Sequence, residues 1–279
     1  MGRVELAAGT IEYREQGDRD GPPVVLTHGL LMNDHQWDLV LPLLPEGFRY
    51  LLPVLPLGGH RIPMKVGTDL TMRGMVALLS DFLSSLELQD ATLVVSDWGG
   101  PLFLPELSNG QRISRLVICP AEAYGNFPPG FPGKVVKVAT SLPGGILFAL
   151  HQFRSRVLRR TPLVLGLMAK KPISDDMIRQ WTDPGIASAG VRRDVLAYCR
   201  TKFSKPALIA ATEKLRDFTG PALVIWAPET NVMRREHGEQ LANLIPKGEL
   251  ADIDDAYVLI MLDQPQRTAE LIGEFLLST

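Results

Sequence analysis

The stretch Leu93-Val94-Val95-Ser96-Asp97-Trp98-Gly99-Gly100 passes from an apolar, strand-like run straight into a helical pattern that begins PLFLPEL. A strand-to-helix junction this tight projects one side chain from the carboxyl edge of a sheet, and small residues two and three positions later let the helix pack against the strand. Gly99 and Gly100 stand at those positions if Asp97 is the tip, whereas Ser96 at the tip would put bulky Trp98 at the first of them. A carboxylate so placed can attack an alkyl carbon or accept a proton, and the amides that open the following helix favour developing negative charge. The alternative reading of Asp97 is a helix N-cap, a position Asp favours.

The elements that must hold this turn are legible on either side of it. Compact apolar runs at 24–27, 50–54, 91–96 and 115–119, separated by helical patterns, predict βαβ units and a mostly parallel sheet in an α/β fold. The clearest helix spans 71–88, where Met72, Met75, Leu79, Phe82, Leu83 and Leu86 recur at three- and four-residue spacing. After Cys119-Pro120 the texture changes to Pro, Gly and helical patterns, so 122–204 is read as a helical insertion between core parts 1–121 and 205–279. In the second core part, strands are expected at 221–227 and 249–253 and helices over 234–244 and from Pro265 onward.

Composition narrows the partners. The 279 residues carry a net charge of -2 with no block of like charge, which favours neither nucleic acid nor an anionic membrane. Cys119 and Cys199 are too few for a disulfide scaffold, and no Cys/His cluster has metal-ligand spacing, so neither a metal nor a cofactor is expected. The amino-terminal segment lacks a continuous apolar core and no run of about 18 apolar residues occurs, so the sequence reads as cytoplasmic, a monomer or homodimer acting on a small molecule.

Leu26-Thr27-His28-Gly29, followed by VVSDWGGPL and by Leu262-Asp263-Gln264-Pro265 ahead of the last helix, resembles the α/β-hydrolase superfamily, particularly its haloalkane dehalogenase and epoxide hydrolase branch. The resemblance covers nearly the whole chain. It implies an α/β-hydrolase fold, a helical cap after strand six, Asp97 as nucleophile, and an oxyanion hole from the backbone N–H groups of Leu30 and Trp98. It also implies an acid at Glu122, just past strand six, where one dehalogenase subgroup carries it. The Trp98 indole is then a halide donor or a packing residue. One dehalogenase subgroup has a second donor, Asn, where this chain has Leu30, and Trp181 in the cap is the candidate substitute.

The departures from that pattern matter as much. Val258 stands where the resemblance expects the base histidine, Thr230 where it expects the acid after strand seven with Glu229 one residue out of register, and Val54 replaces the Asp of the loop after strand four. General-base assistance is typically worth about 10²–10⁴ in rate, so resolving an Asp97 ester by the ordinary route is crippled. Replacement bases must come from His28, His35, His60, His151 or His237, with His35 and His60 on loops that can reach the pocket rim. The favoured expectation is chemistry that one carboxylate and an oxyanion hole can run on a small, largely apolar molecule: elimination, ring opening, isomerisation or cyclisation. Hydrolysis through a relocated histidine, the cofactor-independent dioxygenase branch and a non-catalytic ligand binder are the alternatives.

Overall fold

The computed structural model describes residues 1–97, 112–202 and 204–278. Its core elements begin with β1 (Gly2–Leu6), β2 (Gly9–Gly17), β3 (Pro23–Leu26), β4 (Arg49–Pro53), α1 (Met72–Ser85), β5 (Ala91–Asp97) and β6 (Ile113–Ala121). Five helices follow: α2 (Gly130–Ser141), α3 (Gly145–Arg154), α4 (Asp175–Ala187), α5 (Ala189–Cys199) and α6 (Lys205–Glu213). The chain then completes the core with β7 (Ala222–Trp226), α7 (Arg235–Leu244), β8 (Gly248–Asp252), α8 (Ile260–Asp263) and α9 (Pro265–Leu277).

These strands form one eight-stranded sheet in the order β1-β2-β4-β3-β5-β6-β7-β8. From β4 to β8 every pair is parallel, and β1 and β2 add an antiparallel edge. This is the mostly parallel α/β architecture that the strand-helix alternation and the family resemblance imply. The polar-apolar alternation near the amino terminus is a hairpin, in which Val4 faces Ile11 across the register. Every residue of β5 is buried, as expected of a strand covered by helices on both faces.

Local sequence sets the helix bounds. Thr71 caps α1 by accepting from the Gly74 N–H at 3.2 Å, and the helix buries Met72, Met75, Leu79, Phe82 and Leu83. It stops short of the expected residue 88 because Glu87 adopts a left-handed φ of 53°. Strand β6 runs longer than expected, since its pairing with β5 resumes after an irregularity and reaches Asp97 opposite Ala121. Ser174, Ser188 and Ser204 cap α4, α5 and α6, so the helical run between β6 and β7 extends past residue 204.

Three contacts hold those helices over the carboxyl edge of the sheet. Asn33 donates to Gln180 O at 2.8 Å and to Gly59 O at 3.3 Å, tying α4 to two core loops. The imidazole of His60 meets Asp194 of α5 at 3.1 Å. Leu259 donates its N–H to Met168 O at 2.8 Å. Beneath this roof lie the loop leaving β3, the Asp97 end of β5 and the segment leaving β6.

Candidate active site

Asp97 ends β5 with a φ of 67°, a left-handed conformation that costs a non-glycine residue on the order of 1–3 kcal/mol and recurs at functional turns. The turn after β3 closes onto it. A Cβ on Gly29 would fall 2.4 Å from Asp97 Oδ2 and 2.9 Å from its Cβ, so only glycine permits the approach. That approach carries the next amide into place, and Leu30 donates its N–H to Asp97 Oδ2 at 3.1 Å. Asp97 is 5% exposed, and its carboxyl is pushed up to about 6 by burial, with the Leu30 hydrogen bond opposing.

Glu122 arrives through sheet register. Because Asp97 stands opposite Ala121, the next residue of the neighbouring chain segment sits beside the elbow. Glu122 is 5% exposed, and its Oε2 has no hydrogen-bond partner among the described residues. Burial first, and then the charge of Asp97, raise its carboxyl well above the usual carboxylate range. Cys199, at the end of α5, is half-buried, and burial first and then the charge of Glu122 push its thiol up. Two carboxyl groups in one buried space cannot both ionise cheaply, so the charge of ionised Asp97 adds to burial in favouring the protonated form of Glu122.

The histidines have other partners. His28 is fully buried: its Nε2 accepts from the Leu55 N–H at 2.9 Å, so its Nδ1 carries the proton to Gly29 O at 2.9 Å. Burial lowers its pKa to about 4, so it is a neutral brace for the loop that presents Leu30. His60 points to Asp194, and its second nitrogen faces the Gly58 N–H at 3.4 Å. His35 pairs with Asp38 at 2.7 Å, and Arg14 holds the same carboxylate. His151 is exposed on α3, and His237 lies on α7 against the ring of Tyr124. The structure therefore brings Asp97, Leu30 and Glu122 together, and gives His35 and His60 carboxylate partners elsewhere.

The substituted positions are packed rather than polar. Val258 and Val54 are buried, and Thr230 turns back to accept from the Val232 N–H at 3.2 Å. Glu229 lies outside, paired with Lys170 and accepting from the Asp255 N–H. The loop carrying Val258 is fixed by Asp263, whose carboxylate accepts backbone N–H groups from Tyr257, Lys170 and Lys171 at 2.9, 2.9 and 2.8 Å. Trp181 is fully buried on α4, and its indole N–H meets no acceptor among the described residues. Trp98 lies outside the described residues.

Gln36 is a site residue the sequence reading missed. Fully buried, it accepts from the Gly29 N–H at 2.7 Å and donates to Ser96 Oγ at 3.2 Å and Met261 Sδ at 3.5 Å. One side chain thus joins the turn after β3, the strand that ends in Asp97, and α8. The only sequence signal was a lone amide amid loop residues, which carries no direction by itself.

Known proteins share this arrangement of elements. A haloalkane dehalogenase of Mycobacterium marinum is 30% identical over 156 residues, 52% of this chain and 51% of that protein. Another, of Psychrobacter cryohalolentis, is 32% identical over 108 residues, 38% of this chain and 36% of that protein. This chain therefore spans about half or less of the length of these dehalogenases in the matched stretch. An uncharacterised hydrolase of Bacillus subtilis is 23% identical over 262 residues, 91% of this chain and 89% of that protein. Among solved structures, DBJA superposes with a TM-score of 0.79 at 20% identity over 99% of this chain and 98% of that one. A meta-cleavage product hydrolase, CumD, gives 0.76 at 18% identity over 100% and 98%. At these identities the superpositions establish the fold. The model of the alpha/beta hydrolase family matches residues 24–271, from the strand before the Gly29 turn to the last helix, and the chain belongs to that family.

Proposed function

We propose that this protein is an α/β-hydrolase-fold enzyme acting on a small, largely apolar molecule, with Asp97 as base or nucleophile and Glu122 as its proton-carrying partner. The observation that carries the reading is the buried Asp97–Glu122 pair beside an amide donor, with no described histidine assigned to it. Leu30 occupies Oδ2 of Asp97, and Oδ1, which meets no hydrogen-bond donor among the described residues, is the reactive oxygen in this reading. Once Asp97 ionises above about pH 6, Oδ1 can take a proton from the substrate while the Glu122 carboxyl delivers one to another substrate atom. One proton enters and one leaves, so isomerisation, elimination or ring opening needs neither a water nor a third base. The unpaired indole N–H of Trp181 is the candidate donor to an oxygen or halogen of the substrate.

A second reading, hydrolysis, draws support from the position of the Leu30 N–H. It lies on Asp97's own oxygen, where it would stabilise an oxyanion formed when water attacks an Asp97 ester. In that route Oδ1 displaces the leaving atom and Glu122 protonates an oxygen leaving group. The resulting Glu122 carboxylate then takes a proton from the attacking water.

Single turnover in ¹⁸O-water, with epoxide and haloalkane probes and mass analysis of the Asp97 peptide, separates the two. The favoured reading expects a transformed probe and no label in Asp97. Label in the carboxylate overturns it in favour of hydrolysis, and probes that bind without being transformed favour a ligand-binding member of the fold.

A further inference from the structure

The net charge of -2 conceals a strong segregation. Between residues 123 and 174 the sequence has eight Lys and Arg and no Asp or Glu, so the remainder is acidic by difference. This stretch holds α2, α3 and the turn Leu158–Arg160. Acidic residues from outside it pair with part of the charge: Asp175 with Arg156 and Arg159, Asp183 with Arg154, and Glu229 and Asp255 with Lys170. Lys134, Lys137, Arg160 and Lys171 have no ion-pair partner among the described residues.

Apolar exposure concentrates in the same place. Of the twelve large hydrophobic side chains exposed among the described residues, seven lie between 131 and 163. Phe131, Lys134 and Val138 follow helical spacing along one face of α2, and Leu142 continues it at the turn into α3. Phe148 on α3 is 66% exposed, and Val157, beside the Leu158–Arg160 turn, is 76% exposed. α2 packs on α3, and α3 on that turn, so these side chains belong to neighbouring elements. A soluble surface disperses such residues, whereas clustered apolar side chains among unpaired cations mark an interaction face.

A cavity of about 380 Å³ opens beside the last of them, lined by Arg159, Arg160, Lys170, Lys171, Ile173 and Tyr257. Arg159 is 8% exposed, and its Nη1 meets no acceptor, although Nη2 donates to Ile173 O at 2.9 Å. A buried guanidinium N–H left without an acceptor, in a wall that carries three further cations, is a site for an anionic oxygen.

We propose that the outer face of the segment 130–171 docks on an anionic lipid surface, with Phe148, Val157 and the α2 face entering the headgroup boundary and a lipid phosphate seated in the Arg159–Lys171 cavity. Charge decides the occupant, because a second copy would set the unpaired Lys134, Lys137, Arg160 and Lys171 against the same cations, the neighbouring acids being already engaged with Arg154, Arg156, Arg159 and Lys170. Interfacial binding also needs no membrane-crossing helix, and none of the described helices is long and apolar enough to cross. Docking would bring α4 and α5, on which α3 and α2 pack, close to the lipid in which an apolar substrate dissolves. The proposal stands independently of the chemistry assigned to Asp97.

Co-sedimentation of the full chain with phosphatidylcholine vesicles, with and without phosphatidylserine, tests it. The chain should partition onto the anionic vesicles at low salt and stay in solution with phosphatidylcholine alone. Each cation near the surface contributes about fivefold, so Lys134→Ala with Lys137→Ala should lower partitioning roughly 30-fold. Phe148→Ser should lower it about tenfold or more, and Arg160→Ala with Lys171→Ala should lower it as well. These positions are exposed, so unchanged circular dichroism and thermal midpoint verify folding. No partitioning of the wild-type chain overturns the proposal, as does partitioning that Phe148→Ser leaves unaltered. Two further results also overturn it: a dimer in sedimentation equilibrium that Phe148→Ser dissociates in a chain indifferent to vesicles, or inorganic phosphate bound at Arg160 and Lys171 without vesicle binding.

Discussion

At Asp97, burial and position pull against each other, and the consequence is measurable. Burial lifts the Asp97 carboxyl from the ordinary aspartate range to about 6. The stability contributed by proton binding is therefore present below about pH 4 and lost as pH rises through 6. The loss amounts to about 3 kcal/mol for a shift of about two units. Asp97→Asn should accordingly raise the thermal midpoint at pH 7.5 relative to the wild type and leave it little changed near pH 4. The same variant should abolish turnover, and full retained activity would remove Asp97 from the chemistry. Wild-type kcat/KM should show an acidic limb with a midpoint near pH 6, where Asp97 ionises, and fall at higher pH as Glu122 loses its proton. Gly29→Ala tests the geometry: its methyl group would meet the Asp97 carboxyl, so the variant should fold with a displaced Leu30 amide and lose more than tenfold in kcat.

Among elements, the docking of α5 depends on one buried carboxylate. Asp194 is 1% exposed and accepts from His60 and from the Met64 N–H at 2.7 Å, while Arg193 pairs with its second oxygen. Burial pushes its pKa upward, but the hydrogen bonds from His60, Met64 and Arg193 outweigh it and the net direction is down. The stability it supplies is thus present above the ordinary Asp range and is lost as pH falls through its depressed pKa. Asp194→Ala leaves a buried imidazole and a backbone N–H unpaired and should cost about 3–5 kcal/mol by urea unfolding at neutral pH. Hydrogen exchange should quicken first in α5 and the loop around His60. Uniform exchange across the sheet and helices would mean the contact does not couple these elements.

Across the whole molecule, the helices over the sheet and the carboxy-terminal segment meet at Asp263. Its carboxylate gathers three backbone N–H groups, two from 170–171 and one from Tyr257, and so fixes the loop in which Val258 replaces the expected histidine. Asp263→Ala should destabilise the protein by about 1–3 kcal/mol, because three part-buried backbone donors lose their shared acceptor. Limited proteolysis should then cut first within 165–172. Asp263→Asn offers an acceptor oxygen to only part of the set and should fall between the two.

The amino-acid sequence alone determined the elbow, the parallel strands around it and the absence of the usual base, because each is written in a few adjacent residues. Turn sterics at Asp97, Gly99 and Gly100 and compact apolar runs act over short stretches, so spacing reveals them. It also determined the segregation of charge, although a net value concealed it. Tertiary structure decided the partners. Glu122 reached Asp97 through the register of two parallel strands, while His60 and His35 were taken up by Asp194, far along the chain, and Asp38, close by. Gln36 became a support only when Gly29, Ser96 and Met261 converged on it. Loops that reach the same rim look alike in sequence. Burial and the direction of each side chain decide which group meets which, and both are properties of the packed molecule.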